Sequence, residues 1–337
     1  LIMKYIPFVF IIVLISACKL NEERTYKING LNLVGSPQKF PSSYFQAIDS
    51  IGANYVSIIP FAFSQPGEPS VAYNQNWQWW GEQPRGVVNM IQYGRENNLK
   101  IMLKPHVWVS KQGWPGDFQL SNEQDWQTWE KDYERYILDY ARLADSMQVE
   151  IFCIGTEYRI AVKERSQFWR QLIEKVRDIY AGKITYAANW DNYDNVLFWD
   201  ALDFIGINAY WALSENKTPS TPALIEAWQP VKIQLKTLAK VVNRPILFTE
   251  FGYQSVDYTA SGHWNLDLKS LNANLQGQAN AYQAIFDVFW PEPWCAGGFL
   301  WKWFPDHEKS GGSTDKRFTP QRKLAEEVIK SRYSANN

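Results

Sequence analysis

Eight short β-rich runs recur along the chain, each followed by a loop and a longer stretch with helical periodicity. They cover 28–35, 54–61, 100–108, 151–158, 184–190, 204–211, 246–253 and 298–304. Strands and helices in this alternation predict an α/β protein built as a single-domain (β/α)₈ TIM barrel, whose chemistry gathers at the carboxyl ends of the strands. A doubly wound sheet shares the alternation. It calls for a phosphate-binding glycine fingerprint after the first strand, and Gly35-Ser36-Pro37 is not one. The clearest helix is expected over 121–147, where Ser121 and Gln124 suit a capping box and Trp126, Trp129, Tyr133, Tyr136, Ile137, Tyr140 and Met147 recur at three and four residues. A second helix, over 42–51, is expected to stop at Gly52.

Ahead of the first run, Lys4 precedes an apolar stretch over 6–15 and then Ile15-Ser16-Ala17-Cys18, the charged start, short apolar centre and small-residue exit of a secretion signal. The stretch is too short to span a bilayer as a stable helix. Its end resembles a bacterial lipoprotein box, which implies cleavage before Cys18 and lipid attachment to that residue. The expected organisation is therefore a lipoprotein signal peptide over 1–18, a polar tether over 19–26 and a catalytic barrel over 27–333. Export with anchoring by lipid alone follows from that reading. Cys153 and Cys295 lie inside apolar stretches and are expected to be buried thiols. With 34 basic and 35 acidic residues the net charge is −1, which argues against capture of nucleic acid or an anionic bilayer and favours a neutral substrate.

The strand ends carry an unusual set of side chains: His106, Trp108, Glu157, Tyr158, Asn189, Trp190, Asn208, Tyr210, Trp211, Glu250, Tyr253, Trp301 and Trp303. Two are carboxylates behind apolar strands, an expensive placement unless the charge is paired or used. Carboxylates on the fourth and seventh strands of a closed barrel face each other across its mouth, the arrangement glycoside hydrolysis needs. One carboxyl must keep its proton near neutral pH, which burial or a negative neighbour arranges. The 17 Trp in the chain fit the same picture, because flat rings stack on sugar faces.

These residues resemble the clan A glycoside hydrolases, and Ile154-Gly155-Thr156-Glu157-Tyr158, Thr249-Glu250-Phe251-Gly252-Tyr253, Gly298-Phe299-Leu300-Trp301-Lys302-Trp303 and Phe318-Thr319-Pro320-Gln321 are similar to glycoside hydrolase family 113. The resemblance spans 27–332 and implies a retaining hydrolase of β-1,4-mannan or manno-oligosaccharides that needs no cofactor. It makes Glu157 the acid/base, Glu250 the nucleophile and Trp301 the floor beneath the sugar at the cleavage point. Most of the clan carries Asn before the acid/base, to bind the sugar 2-hydroxyl. Thr156 stands there in this chain, so Asn189 and Asn208 become candidates for that contact. Another β-glycan, such as xylan or galactan, is the alternative substrate, and a non-catalytic surface glycan-binding protein the alternative class.

From position, Tyr210 is expected to hold Glu250, and Trp108, Trp190, Trp211 and Trp303 to build neighbouring subsites. His106 is a candidate sugar-hydroxyl or carboxylate partner. The cluster Trp77-Gln78-Trp79-Trp80 lies in a long loop with no periodicity to explain burial, so Trp79 and Trp80 are expected in a subsite wall. Trp126, Trp129, Trp169 and Trp228 belong instead to helix packing. No metal site is expected, since the three His are scattered and the Asp191–Asn195 run lacks the glycine and distal Glu of a calcium loop. No G-x-S-x-G elbow marks a serine nucleophile. The expected partner is a β-glycan polysaccharide or oligosaccharide, met by a monomer.

Overall fold

The computed structural model describes residues 27–335. The leader, Cys18 and the tether lie outside the described residues. Eight parallel strands close into a barrel in the order β1 (Ile28–Leu33), β2 (Tyr55–Ile58), β4 (Lys100–Leu103), β6 (Ile151–Thr156), β7 (Lys183–Asn189), β8 (Ile205–Ala209), β9 (Ile246–Phe251) and β10 (Cys295–Trp303), with β10 pairing back to β1. Helices between the strands pack outside, so each strand is covered on both faces and reads as a nearly continuous apolar run. The amino-terminal end of the barrel interior is plugged by Ile28, Met102, Ile151, Leu247 and Phe299. Gly30 makes room for that plug, since a Cβ there would lie 2.4 Å from the Phe299 ring.

The sequence expectation differs from the structure at two runs. Those at 54–61 and 100–108 each break into a barrel strand and a second short strand. Pro60 and Pro105 stand at the breaks, where a missing N–H ends a ladder. The outer pieces, β3 (Phe61–Ser64) and β5 (His106–Val109), pair with each other as a separate parallel ladder above the barrel rim. His106 and Trp108 therefore sit beyond the barrel, and the residue at the mouth end of β4 is Lys104.

The helix Glu123–Ser146 buries the predicted stripe, with Trp129 stacked on Tyr133 at 4.9 Å. Its cap is Asn122 and not Ser121: the Asn122 side chain accepts from the Asp125 amide at 2.9 Å. Trp169 and Trp228 are also fully buried. The stretch before Gly52 opens as a 3₁₀ turn, Ser42–Phe45, and continues as a short α-helix, Gln46–Ser50. Gly52 itself takes φ +77°, a left-handed stop. Cys153 and Cys295 are buried free thiols. Among the described residues no helix is long and apolar enough to cross a membrane.

Candidate active site

At the carboxyl end of the barrel lies a cleft of about 810 Å³, lined by residues of several strand ends and the loops after them. Glu250 is on β9 and 5% exposed. Its Oε1 accepts from the Lys104 ammonium and its Oε2 from the Tyr210 hydroxyl at 2.8 Å. Lys104 is fully buried, held in place by the barrel wall around β4, and its Nζ also lies 5.4 Å from the Trp301 ring centre. Each oxygen of Glu250 thus has its own donor, one of them charged.

Glu157 follows β6 directly and takes φ +55°, a left-handed conformation unusual for a residue with a Cβ. Two backbone bonds hold it there. Its amide donates to the Ala187 carbonyl at 2.8 Å, extending the pairing with β7, and its carbonyl accepts from the Arg159 amide at 2.9 Å. The carboxyl Oε1 accepts from the Asn208 amide at 2.8 Å, and Oε2 accepts from the Trp114 indole N–H at 2.6 Å. Burial, followed by the negative charge of Glu250, pushes the Glu157 carboxyl up to about 7. The two carboxyls are thus in one field with different partners: one faces an ammonium, the other keeps its proton into the neutral range.

Asn208 ties the pair together. It is fully buried on β8, its amide N–H donates to Glu157, and its carbonyl accepts from the Thr249 hydroxyl at 2.8 Å, one residue before Glu250. The register of β8 on β9 pairs Asn208 with Glu250, which sets this bridge. Asn208 is therefore beneath the cleft as a positioning group. Asn189 lines the cleft and donates to Asp191 at 2.9 Å, whereas Thr156 is buried.

The predicted rings divide. Trp108, Trp190 and Trp301 line the cleft, as does His106. His106 has its ring pushed down to about 3 by burial and the Lys104 charge, so it is a neutral imidazole. Trp211 stands behind the wall, half-buried against Trp190 and Trp228, at 6.1 and 5.7 Å. Trp303 is fully buried and stacks on His307 at 5.4 Å beneath the loop after β10. Trp80 turns into the fold against Phe40, because its short 3₁₀ turn docks on Ser36 and Pro37 through backbone bonds. Trp79 is exposed but outside the cleft lining. Trp211, Trp303, Trp79 and Trp80 are thus corrections to the expected cleft wall.

Sequence reasoning missed Lys104, Trp114, Arg159, His263, Trp264 and Phe318, all but Lys104 in the lining. Lys104 had a signal: a charged residue behind the apolar run Ile101-Met102-Leu103, the same argument that selects the two Glu. Trp114 and Trp264 sit in aperiodic loops. Trp264 stacks on Trp190 at 5.2 Å with rings 8° apart, making a double indole wall, and Arg159 lies 5.1 Å over Trp114. Phe318 is carried by the closing motif, in which the Gln321 side chain accepts from the Phe304 amide and donates to its carbonyl at 2.8 and 2.9 Å. Among the described residues no three His, Cys, Asp or Glu side chains gather as metal ligands.

A parallel eight-stranded barrel whose mouth holds one carboxylate and one raised carboxyl inside an aromatic cleft defines a glycosidase of the TIM-barrel class. The glycoside hydrolase family 113 model matches residues 39–323, and the chain belongs to that family. Among solved structures, the family 113 β-mannanase AaManA from Alicyclobacillus acidocaldarius, in complex with ManMIm, superposes with a TM-score of 0.80 at 26% identity. The match covers 93% of this chain and 98% of that one. A family 113 β-1,4-mannanase complex gives 0.77 at 26%, covering 92% and 99%. A β-glucuronidase of Ruminococcus gnavus, 14% identical, has a TM-score of 0.61 over 92% of this chain and 52% of its own, a likeness of fold. Among curated proteins, none matches the sequence.

Proposed function

We propose that the protein hydrolyses β-1,4-mannosidic bonds in mannan or manno-oligosaccharides with retention of configuration. The observation that carries the division of roles is the unequal surroundings of the two carboxyls. Glu250, flanked by Lys104 and Tyr210, attacks the anomeric carbon while Glu157 gives its proton to the departing oxygen as that bond breaks. Glu157, now ionised and favoured in that form by Trp114 and Asn208, then takes a proton from the water that attacks the same carbon and frees Glu250. Trp301 forms the floor for the reacting sugar, and Asn189 is the open side chain for its 2-hydroxyl. The mannan assignment draws support from the β-mannanases that the chain resembles at 26% identity.

Incubation with mannan, xylan and galactan, with reducing ends measured, tests this reading. Release from mannan alone is expected, and Glu250→Ala, still folded, should form no glycosyl-enzyme. Wild-type rates in that variant, or preferential release from xylan, would sink the assignment. For the leader, export and lipidation at Cys18 are proposed from the motif ending at that residue. Labelled fatty acid should enter the wild-type protein in a bacterial host and be absent from Cys18→Ala; equal labelling refutes it.

A further inference from the structure

The ladder above the barrel rim carries rings outward from the catalytic cleft. In β3 and β5, Ala62, Ser64, Val107 and Val109 point inward and are buried, so Phe61, Phe63, His106 and Trp108 share the outer face. The register pairs Phe61 with His106 and Phe63 with Trp108. Phe61 stacks on the His106 ring at 5.0 Å, and Trp77 meets Phe63 edge-on at 4.8 Å. His106 and Trp108 line the cleft, whereas Trp77 lies outside that lining and is 61% exposed. One face of the ladder thus carries His106 stacked on Phe61, Trp108 in register beside Phe63, and Trp77 against Phe63.

The loop that presents Trp77 is pinned. Buried Gln78 donates to the Phe61 carbonyl at 2.7 Å and accepts from the Gln75 amide at 2.8 Å, and Gln83 donates to the Gln78 and Gln75 carbonyls at 3.1 and 3.2 Å. An indole kept in the open on a loop tied to β3 has no role in core packing, and exposed rings that continue a binding cleft extend it. Between Val71 and Gly81 the loop has no charged residue, and Asn74, Gln75 and Asn76 directly precede Trp77 in it. An exposed ring on a loop without charges suits an uncharged polyhydroxyl ligand better than a charged peptide or nucleic acid.

We propose that Trp77, with Phe63 and Trp108, forms an outer stacking subsite for sugar units of a β-glycan chain remote from the scissile bond. This rests on the hydrolase reading and gives it a preference for long chains. A chain seated on these rings gains stacking contacts that a short glycoside, held only between the carboxyls and Trp301, never reaches. The test compares kcat/KM on soluble β-1,4-mannan and on an aryl β-mannoside for wild type, Trp77→Ala and Trp77→Phe. Trp77→Ala should lose about tenfold on the polymer, equivalent to ~1.4 kcal/mol, and leave the aryl glycoside rate alone. Trp77→Phe should recover most of the loss. Unchanged or equal losses on both substrates overturn the outer subsite while the hydrolase reading stands. If wild type cleaves neither, the hydrolase reading fails. Gel retardation in soluble mannan, xylan and β-glucan then decides the subsite: it stands if a glycan that retards wild type fails to retard Trp77→Ala, and falls otherwise.

Discussion

The buried ammonium of Lys104 donates to Oε1 of Glu250, and among the described residues it makes the one salt bridge to that carboxylate. Lys104→Met would remove the ammonium from Oε1 of this nearly buried carboxyl and leave the Tyr210 hydroxyl as its side-chain donor. Removing one partner of a buried pair costs about 3–5 kcal/mol, and loss of a preorganised donor at a reacting group lowers kcat about 100-fold. Thermal unfolding and steady-state rates should show both losses. Adding Glu250→Gln should restore most of the stability and none of the rate; a fully additive stability loss would refute the pairing.

Glu157 should set the alkaline limb of activity. In the proposed reaction its carboxyl, raised to about 7 by burial and Glu250, gives up its proton in the first step, so kcat/KM on mannan should fall as pH rises through that value. A substrate with an activated aryl leaving group needs no proton and should lose the limb in its first step. The same shift predicts a stability effect. Between about pH 4.5 and 7 the unfolded chain releases this proton while the folded chain keeps it, so wild-type stability declines as pH rises through that window. Glu157→Gln lacks the decline, and its Tm relative to wild type should rise from pH 4 to pH 8.

Trp114 donates to Glu157 Oε2 at 2.6 Å and favours the ionised form. Trp114→Phe keeps a ring but removes the donor. The alkaline limb should then move to higher pH, in the same direction as further burial would move it. A change confined to KM, with the limb in place, would make Trp114 a simple subsite wall.

Two of the chain's 17 tryptophans should behave oppositely. Trp303→Ala empties a fully buried site against His307 and should cost about 3–5 kcal/mol of stability. Trp264→Ala removes a ring that is 48% exposed and stacked on Trp190, so it should leave Tm unchanged and raise KM. Denaturant titration and initial rates on mannan separate the two, and equal stability losses would contradict the division.

Much of this was legible from the chain. Eight β-rich runs alternating with helical stretches pointed to the barrel, and the missing glycine fingerprint after the first run set aside the doubly wound sheet that shares the alternation. The cost of leaving a carboxylate behind an apolar strand singled out Glu157 and Glu250, each local to its own strand. The same cost applied to Lys104, yet its pairing with Glu250 joins residues 146 positions apart and exists only once the barrel closes. The destination of each ring was likewise a tertiary decision. Trp301 and Trp303 stand two residues apart on β10, one in the cleft and one in the core, while Trp114 and Trp264 reach the cleft from loops without periodicity. Local pattern fixes which face a strand or helix presents; what that face meets is set by long-range closure, and the chemistry of this site lies in those meetings.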